Sequence, residues 1–169
     1  PSGYYIEGPY YHPRALRPLL TFPEGLHTHR PDPNIYSYKD GVIGKTIKAL
    51  LSTVYPDGSF PALNDASRTM GIHDEGVLLS AAVGHARYGQ DAAVPAIQAL
   101  ARQQGRVWVH PSAMSLAAAA DALPANAQPY WPSVELNEGP AGDKGAQGFL
   151  RAKAADGDIT QVCMNYGQH

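Results

Sequence analysis

The hydrophobic spacing of this chain changes period at a proline-rich junction, "PANAQPYWP" (residues 124–132). Before it, in "NIYSYKDGVIGKTIKALLSTV", Ile35, Tyr38, Val42, Ile43, Thr46, Ile47, Leu50, Leu51 and Val54 recur at three- and four-residue steps. That spacing collects them on one helical stripe. After it, "SVELNEG" alternates, with Val134 and Leu136 on one face. "AQGFLRAKA" and "DITQVCMNYG" also read as strands, joined by the short turn "ADGD". The two periods bury different surfaces, so the chain is expected to be α+β, helices first and antiparallel strands second. The predicted boundaries are helices up to about residue 123 and strands from about residue 133.

Punctuation supports this division. Asn34 sits at an N-cap position, and "YPDGSFP" supplies turn residues that stop the helix. Asp74 is placed to cap a second helix over 74–88, with Val77, Leu78, Ala81, Ala82 and His85 inward and Gly89 at its end. Two more short helices are predicted over 91–104 and 112–123, the first bearing Pro95 near its start. Short loops between alanine-rich helices suit helical hairpins stacked into a toroid or solenoid. The expected organisation is a helical unit over 1–128 and the first strands of an antiparallel sandwich over 129–169.

Charge narrows the function classes. A formal net charge of −2 over 169 residues provides no basic field for nucleic acid. Local arginines could still hold an anionic substrate. The sequence shows no apolar run of 18 residues and no secretory leader, so no membrane association is expected. Cys163 is the sole cysteine, which forbids an internal disulfide and leaves the compartment, periplasmic or cytoplasmic, open. The chain begins at proline and ends on "VCMNYGQH", and both ends read as cut. Remaining segments of the same protein are therefore expected partners.

Tyr10, Tyr11, His12 and Arg14, in "EGPYYHPRAL", form the most informative group. On a helix Arg14 neighbours both Tyr10 and Tyr11, and a guanidinium beside a phenol favours the phenolate, making a tyrosine usable as a base. Aromatic packing explains the same residues equally simply. "PDGSFPALNDASR" presents Asn64, Asp65, Ser67 and Arg68 on a polar loop, either as binding groups or with Asp65 as a helix cap. His27 and His29 have H-x-H spacing but no second acidic or histidine motif nearby, so they read as loop histidines and not as metal ligands. His73 and His85 read as structural histidines, and Trp108 and Trp131 as packing groups able to stack on sugars. Common nucleotide, serine-hydrolase and redox motifs are absent from the sequence.

Three segments, "EGPYYHPRAL", "PDGSFPALNDASR" and "ELNEGPAGDKGAQGFLRA" continuing to "VCMNYGQH", together resemble heparinase II/III-type polysaccharide lyases, and oligoalginate lyases most closely. The resemblance implies an (α/α) toroid followed by a β-sandwich, with this chain as the toroid's second half and the sandwich's start. It also implies β-elimination on a uronate polymer: a base takes the C5 proton and an acid protonates the departing O4. Tyr11 matches the family's proton-transferring tyrosine. His169 falls where the family's histidine motif begins, and the histidine itself is either His169 or lies just beyond it. Tyr10, His12, Arg14, Asn64, Asp65 and Arg68 are the implied substrate contacts. The family's upstream Asn-His helix is absent, as are the later ligands of its structural metal. No cofactor is therefore implied within this chain, with a zinc ion implied in the C-terminal part. An acidic oligosaccharide or polysaccharide is the implied substrate. Alginate is favoured over heparin, because clustered cations for sulfates are lacking. A glycosaminoglycan lyase of the same superfamily, a non-catalytic carbohydrate-binding helical domain and a structural helical-repeat domain are the alternatives.

Overall fold

The computed structural model describes residues 2–30, 34–88, 132–139 and 141–166, the side chains of residues 85 and 146 excepted. Three helices and one antiparallel sheet make up the named elements: α1 (His12–His29), α2 (Tyr38–Leu51), α3 (Glu75–Tyr88), β1 (Val134–Glu138), β2 (Lys144–Lys153) and β3 (Ile159–Tyr166). The α+β expectation holds at this level, and the strands start within a residue of the predicted boundary. The helices expected over 91–104 and 112–123, Trp108, Trp131 and Gly89 lie outside the described residues.

Helix α1 starts with Pro13 in its first turn, where proline's missing N–H costs nothing. His27 and His29 occupy its last turn and not a loop. Asn34 caps as expected, its side chain accepting from the Tyr36 amide at 3.2 Å, but it opens a 3₁₀ turn over Ile35–Ser37 ahead of α2. Lys39, Asp40 and Gly41 then take positive φ inside α2. That left-handed turn resets the helical phase. Ile43, Ile47, Leu50 and Leu51 are buried as the stripe requires, whereas Tyr38 and Val42 are exposed. Asp74 caps α3 through a 2.8 Å bond from the Gly76 amide.

Leu16 and Leu20 of α1, the α2 stripe, and Val77, Ala81 and Val83 of α3 share one core with Phe60, Met70 and Ile72 from the 52–74 connection. This connection is non-helical, so the helical region is interrupted by a long loop anchored in the core by its own apolar residues. The Arg87 guanidinium grips Glu24 through two bonds of 2.8 and 2.7 Å, tying α3 to α1 at the end remote from Tyr11.

The sheet runs β1-β2-β3, each pair antiparallel. Gly157, at φ +97, makes the β2–β3 turn, closed by the Ala154 amide on the Asp158 carbonyl at 2.8 Å. Register pairs Val134 with Phe149 and Phe149 with Cys163, which puts these side chains on one face. That face meets α2 and the N-terminal segment in a second cluster of Tyr4, Ala49, Leu136 and Phe149. The N-terminal segment is thus packed between helices and sheet, with Ser2 donating to the Asn137 carbonyl at 2.6 Å.

Candidate active site

The segment Tyr4–Tyr11 turns twice before α1 begins. Gly8 takes φ +88, a conformation glycine adopts without penalty, and its carbonyl accepts from the His12 amide at 3.1 Å. Tyr10 and Tyr11 emerge at the entrance to α1, their rings edge to face at 4.9 Å. Arg14 reaches back over both rings, its guanidinium carbon 4.6 Å from the Tyr10 centroid and 5.8 Å from that of Tyr11. It donates to the Tyr10 hydroxyl at 2.8 Å. Among the described residues Arg14 makes no ion pair, so its charge is available to an incoming anion.

The polar loop closes on the same spot. Asn64 takes φ +57, and its side-chain amide donates to the Glu7 carbonyl at 3.2 Å, fixing the loop to the N-terminal segment. This places Asp65 to accept the Tyr11 hydroxyl at 2.9 Å, a contact spanning 54 positions of sequence. Asp65 therefore does not cap a helix. Tyr10, Tyr11, Arg14, Asn64 and Asp65 converge on one exposed patch, while Arg68 stays exposed at the loop's edge, outside these contacts.

The electrostatics run opposite to the sequence expectation for Tyr11. The Asp65 hydrogen bond pushes its hydroxyl above the ordinary tyrosine range, and the opposing influence of Arg14 is the smallest of the causes. Resting Tyr11 is a phenol and not a phenolate. His12 points the other way, into the core. It is only 2% exposed, its Nε2 lies 2.8 Å from the Thr46 hydroxyl, and burial lowers its pKa to about 4. A neutral, enclosed imidazole packs the site from beneath and offers no surface to a ligand. His169 lies outside the described residues.

Two polar groups that the sequence reading did not single out lie close by. The side chains of Tyr4 and Gln147 are buried side by side, and burial pushes the Tyr4 hydroxyl well above the ordinary tyrosine range while Gln147 opposes that shift. Gln147 pairs with Leu136 in register and shares the inner face with Phe149. The available signal was a polar residue in phase with inward apolar ones. Among the described residues no group of three or more His, Cys, Asp or Glu could hold a metal ion.

The chain is 34% identical over 157 residues to an alginate lyase of Stenotrophomonas maltophilia (strain K279a), covering 93% of this chain and 20% of that protein. It is 29% identical over 170 residues to an exo-oligoalginate lyase of Saccharophagus degradans (strain 2-40), covering 99% and 22% respectively. The chain thus spans about a fifth of the length of these curated relatives. No family model matches the chain.

Proposed function

We propose that the full-length protein is a polysaccharide lyase that cleaves a uronate-containing oligosaccharide, alginate before others, by β-elimination. One observation carries this reading: Tyr11 hydrogen-bonded to Asp65 beneath an Arg14 that, among the described residues, has no carboxylate partner. The relatives named as alginate lyases support it over nearly the whole of this chain. In the same reading the helices belong to an α/α toroid, residues 1–128, and the sheet begins a sandwich, residues 129–169.

In this reaction the C5–H bond breaks and its electron pair becomes the C4=C5 double bond. The C4–O4 bond breaks in turn, and O4 needs a proton. Tyr11 can supply it directly, because Asp65 keeps the hydroxyl protonated. To act as a base, Tyr11 would first have to give its proton to Asp65. A phenol is by far the weaker acid of the two, so that transfer is uphill. The acid role avoids this cost. Arg14, over the ring, then stabilises the tyrosinate left behind and meets the substrate carboxylate on its open side. The C5 proton goes to a separate base, for which the resemblance offers His169 or a histidine just past it.

Incubating the full-length protein with oligoalginate should generate absorbance from the new double bond. Tyr11→Phe should lower turnover by about 10²–10⁴ while leaving oligosaccharide binding within a few-fold, since the ring remains. A Tyr11→Phe protein with wild-type turnover would remove this residue from the chemistry.

A further inference from the structure

Two consecutive loop residues hold the N-terminal segment at two points. Asn64 donates its side-chain amide to the Glu7 carbonyl at 3.2 Å, and Asp65 accepts from the Tyr11 hydroxyl at 2.9 Å. The corner that carries them is a β-turn, closed by the Ala66 amide on the Leu63 carbonyl at 3.1 Å. Asn64 occupies its first central position at φ +57, a conformation that suits glycine and, among residues with side chains, asparagine before most others. Opposite stands a second left-handed corner, Gly8 at φ +88. A Cβ there would lie 3.7 Å from both Asn64 Nδ2 and Leu63 Cβ, so the two corners are in contact. The Glu7 carbonyl is presented to Asn64 by the turn in which the Gly8 amide meets the Tyr5 carbonyl at 3.0 Å.

Little else fixes the loop's corner. Pro61 and Met70 are buried, and no residue between them is. The Ser67–Thr69 hydroxyl pair, 2.7 Å apart, is internal to the loop. Among the described residues, the hydrogen bonds that cross from this stretch to the N-terminal segment are those of Asn64 and Asp65. The Asp65 bond cannot hold the loop throughout a reaction in which Tyr11 gives up its proton, because carboxylate and tyrosinate then repel. The Asn64 bond can, since a backbone carbonyl keeps its charge at every step. With its amide committed to Glu7, Asn64 is tied to protein and not turned to a ligand.

We infer that Asn64 is a positioning residue, whose clasp on the Glu7 carbonyl holds Asp65 against the Tyr11 hydroxyl before and after each proton transfer. The catalytic consequence rests on the function proposed above. The placement of Asp65 does not. The groups that act on the Tyr11 hydroxyl are Asp65 and Tyr10, which raise its pKa, and Arg14, which lowers it. Loosening Asp65 therefore lets Tyr11 ionise at lower pH.

The test compares Asn64→Gly, which keeps the left-handed corner and drops the clasp, with Asn64→Ala, which strains the corner as well, both in the full-length protein. Each is made with and without Tyr11→Phe, so that the difference in phenolate absorbance reads Tyr11 alone. In both variants Tyr11 should titrate at lower pH than in wild type, and the alkaline limb of kcat/KM should move with it. Turnover should fall about two- to tenfold, the weight of one ordinary hydrogen bond, with KM for oligoalginate unchanged. Asn64→Ala alone should also lower the melting temperature. In an Asp65→Asn background, Asn64→Gly should move neither the titration nor the limb further, because it acts through that carboxylate. A wild-type Tyr11 titration in Asn64→Gly would show that the turn by itself places Asp65, and would overturn the inference. So would a raised KM with kcat and titration unchanged, the mark of a direct sugar contact, or a shift that persists in the Asp65→Asn background. If no uronate oligomer yields an unsaturated product, the lyase reading fails, and the absorbance titration still decides the role of Asn64.

Discussion

The Tyr11 hydroxyl lies 2.9 Å from Asp65, and its ring centroid 5.8 Å from the Arg14 guanidinium carbon, so opposite charges compete for one proton. The direct hydrogen bond wins over the more distant cation, and the phenol is held protonated. If Tyr11 is the acid, activity falls as pH rises through its pKa. Asp65→Asn removes the carboxylate that raises that pKa, so the alkaline limb of kcat/KM should move to lower pH. An unmoved limb would separate Tyr11 from the rate. The adjacent His12 makes a different pH statement. Its folded pKa of about 4 lies below the ordinary 6.5, so the unfolded chain takes up the proton first as pH falls. Stability due to neutral His12 is complete above pH 6.5 and is lost between 6.5 and about 4, by an amount on the order of 3 kcal/mol. Thermal melts of wild type and His12→Gln across that window should diverge, the variant showing the shallower slope. His12 was partly legible in the sequence, since His12, Leu16 and Leu20 recur at four-residue steps, and all three are buried. The Tyr11–Asp65 pair was not legible as a contact, because no local rule joins residues 54 positions apart.

Among the elements, the strands and their turn followed the sequence most closely, because alternation and "ADGD" are local signals that tertiary contacts did not override. Helix α2 diverged in its first turn, where three left-handed residues put Tyr38 and Val42 out of phase with the buried stripe. The crossing of α1 and α3 depends on a glycine that periodicity does not reveal. A Cβ on Gly76 would sit 2.6 Å from the Pro13 carbonyl oxygen and 2.8 Å from its Cβ, so the helices meet backbone to backbone. Gly76→Ala should cost about 1–3 kcal/mol through overpacking. It should also lower turnover, since Pro13 lies two residues beyond Tyr11. Gly25, inside α1 with nothing within 4 Å of its absent Cβ, is the control. There alanine should stabilise by up to about 1 kcal/mol through helix propensity alone. Chemical denaturation of the two variants gives the comparison, and equal shifts in the same direction would refute the close-approach argument.

Across the described molecule, helices and sheet are joined by a buried cation that has no carboxylate partner among the described residues. Arg151 of β2 is 9% exposed, and its guanidinium donates to the carbonyls of Ser52 at 2.6 Å and Pro132 at 2.8 Å and to Gln161 Oε1 at 2.5 Å. It also covers the Phe149 ring at 5.1 Å. Ser52 is the C-cap of α2, so the arginine satisfies a helix end that would otherwise be buried against the sheet with its carbonyls unmet. Burial lowers its pKa to about 10, which still leaves it charged at neutral pH. Gln147, Phe149 and Arg151 alternate along β2 and so share one face, but the Ser52 carbonyl that Arg151 meets lies 99 residues away and could not be read from spacing. Arg151→Met keeps the apolar stem and removes every donor. Each carbonyl left unpaired costs about 1–3 kcal/mol, partly offset by no longer burying a charge. The net loss should be a few kcal/mol and should fall unevenly. Amide exchange in β2 and β3 should accelerate well before that of α2 and α3, because the helices retain their own core. If instead the sheet amides keep wild-type protection, the Tyr4, Leu136 and Phe149 cluster is sufficient to dock the sheet, and Arg151 is not what joins the two layers.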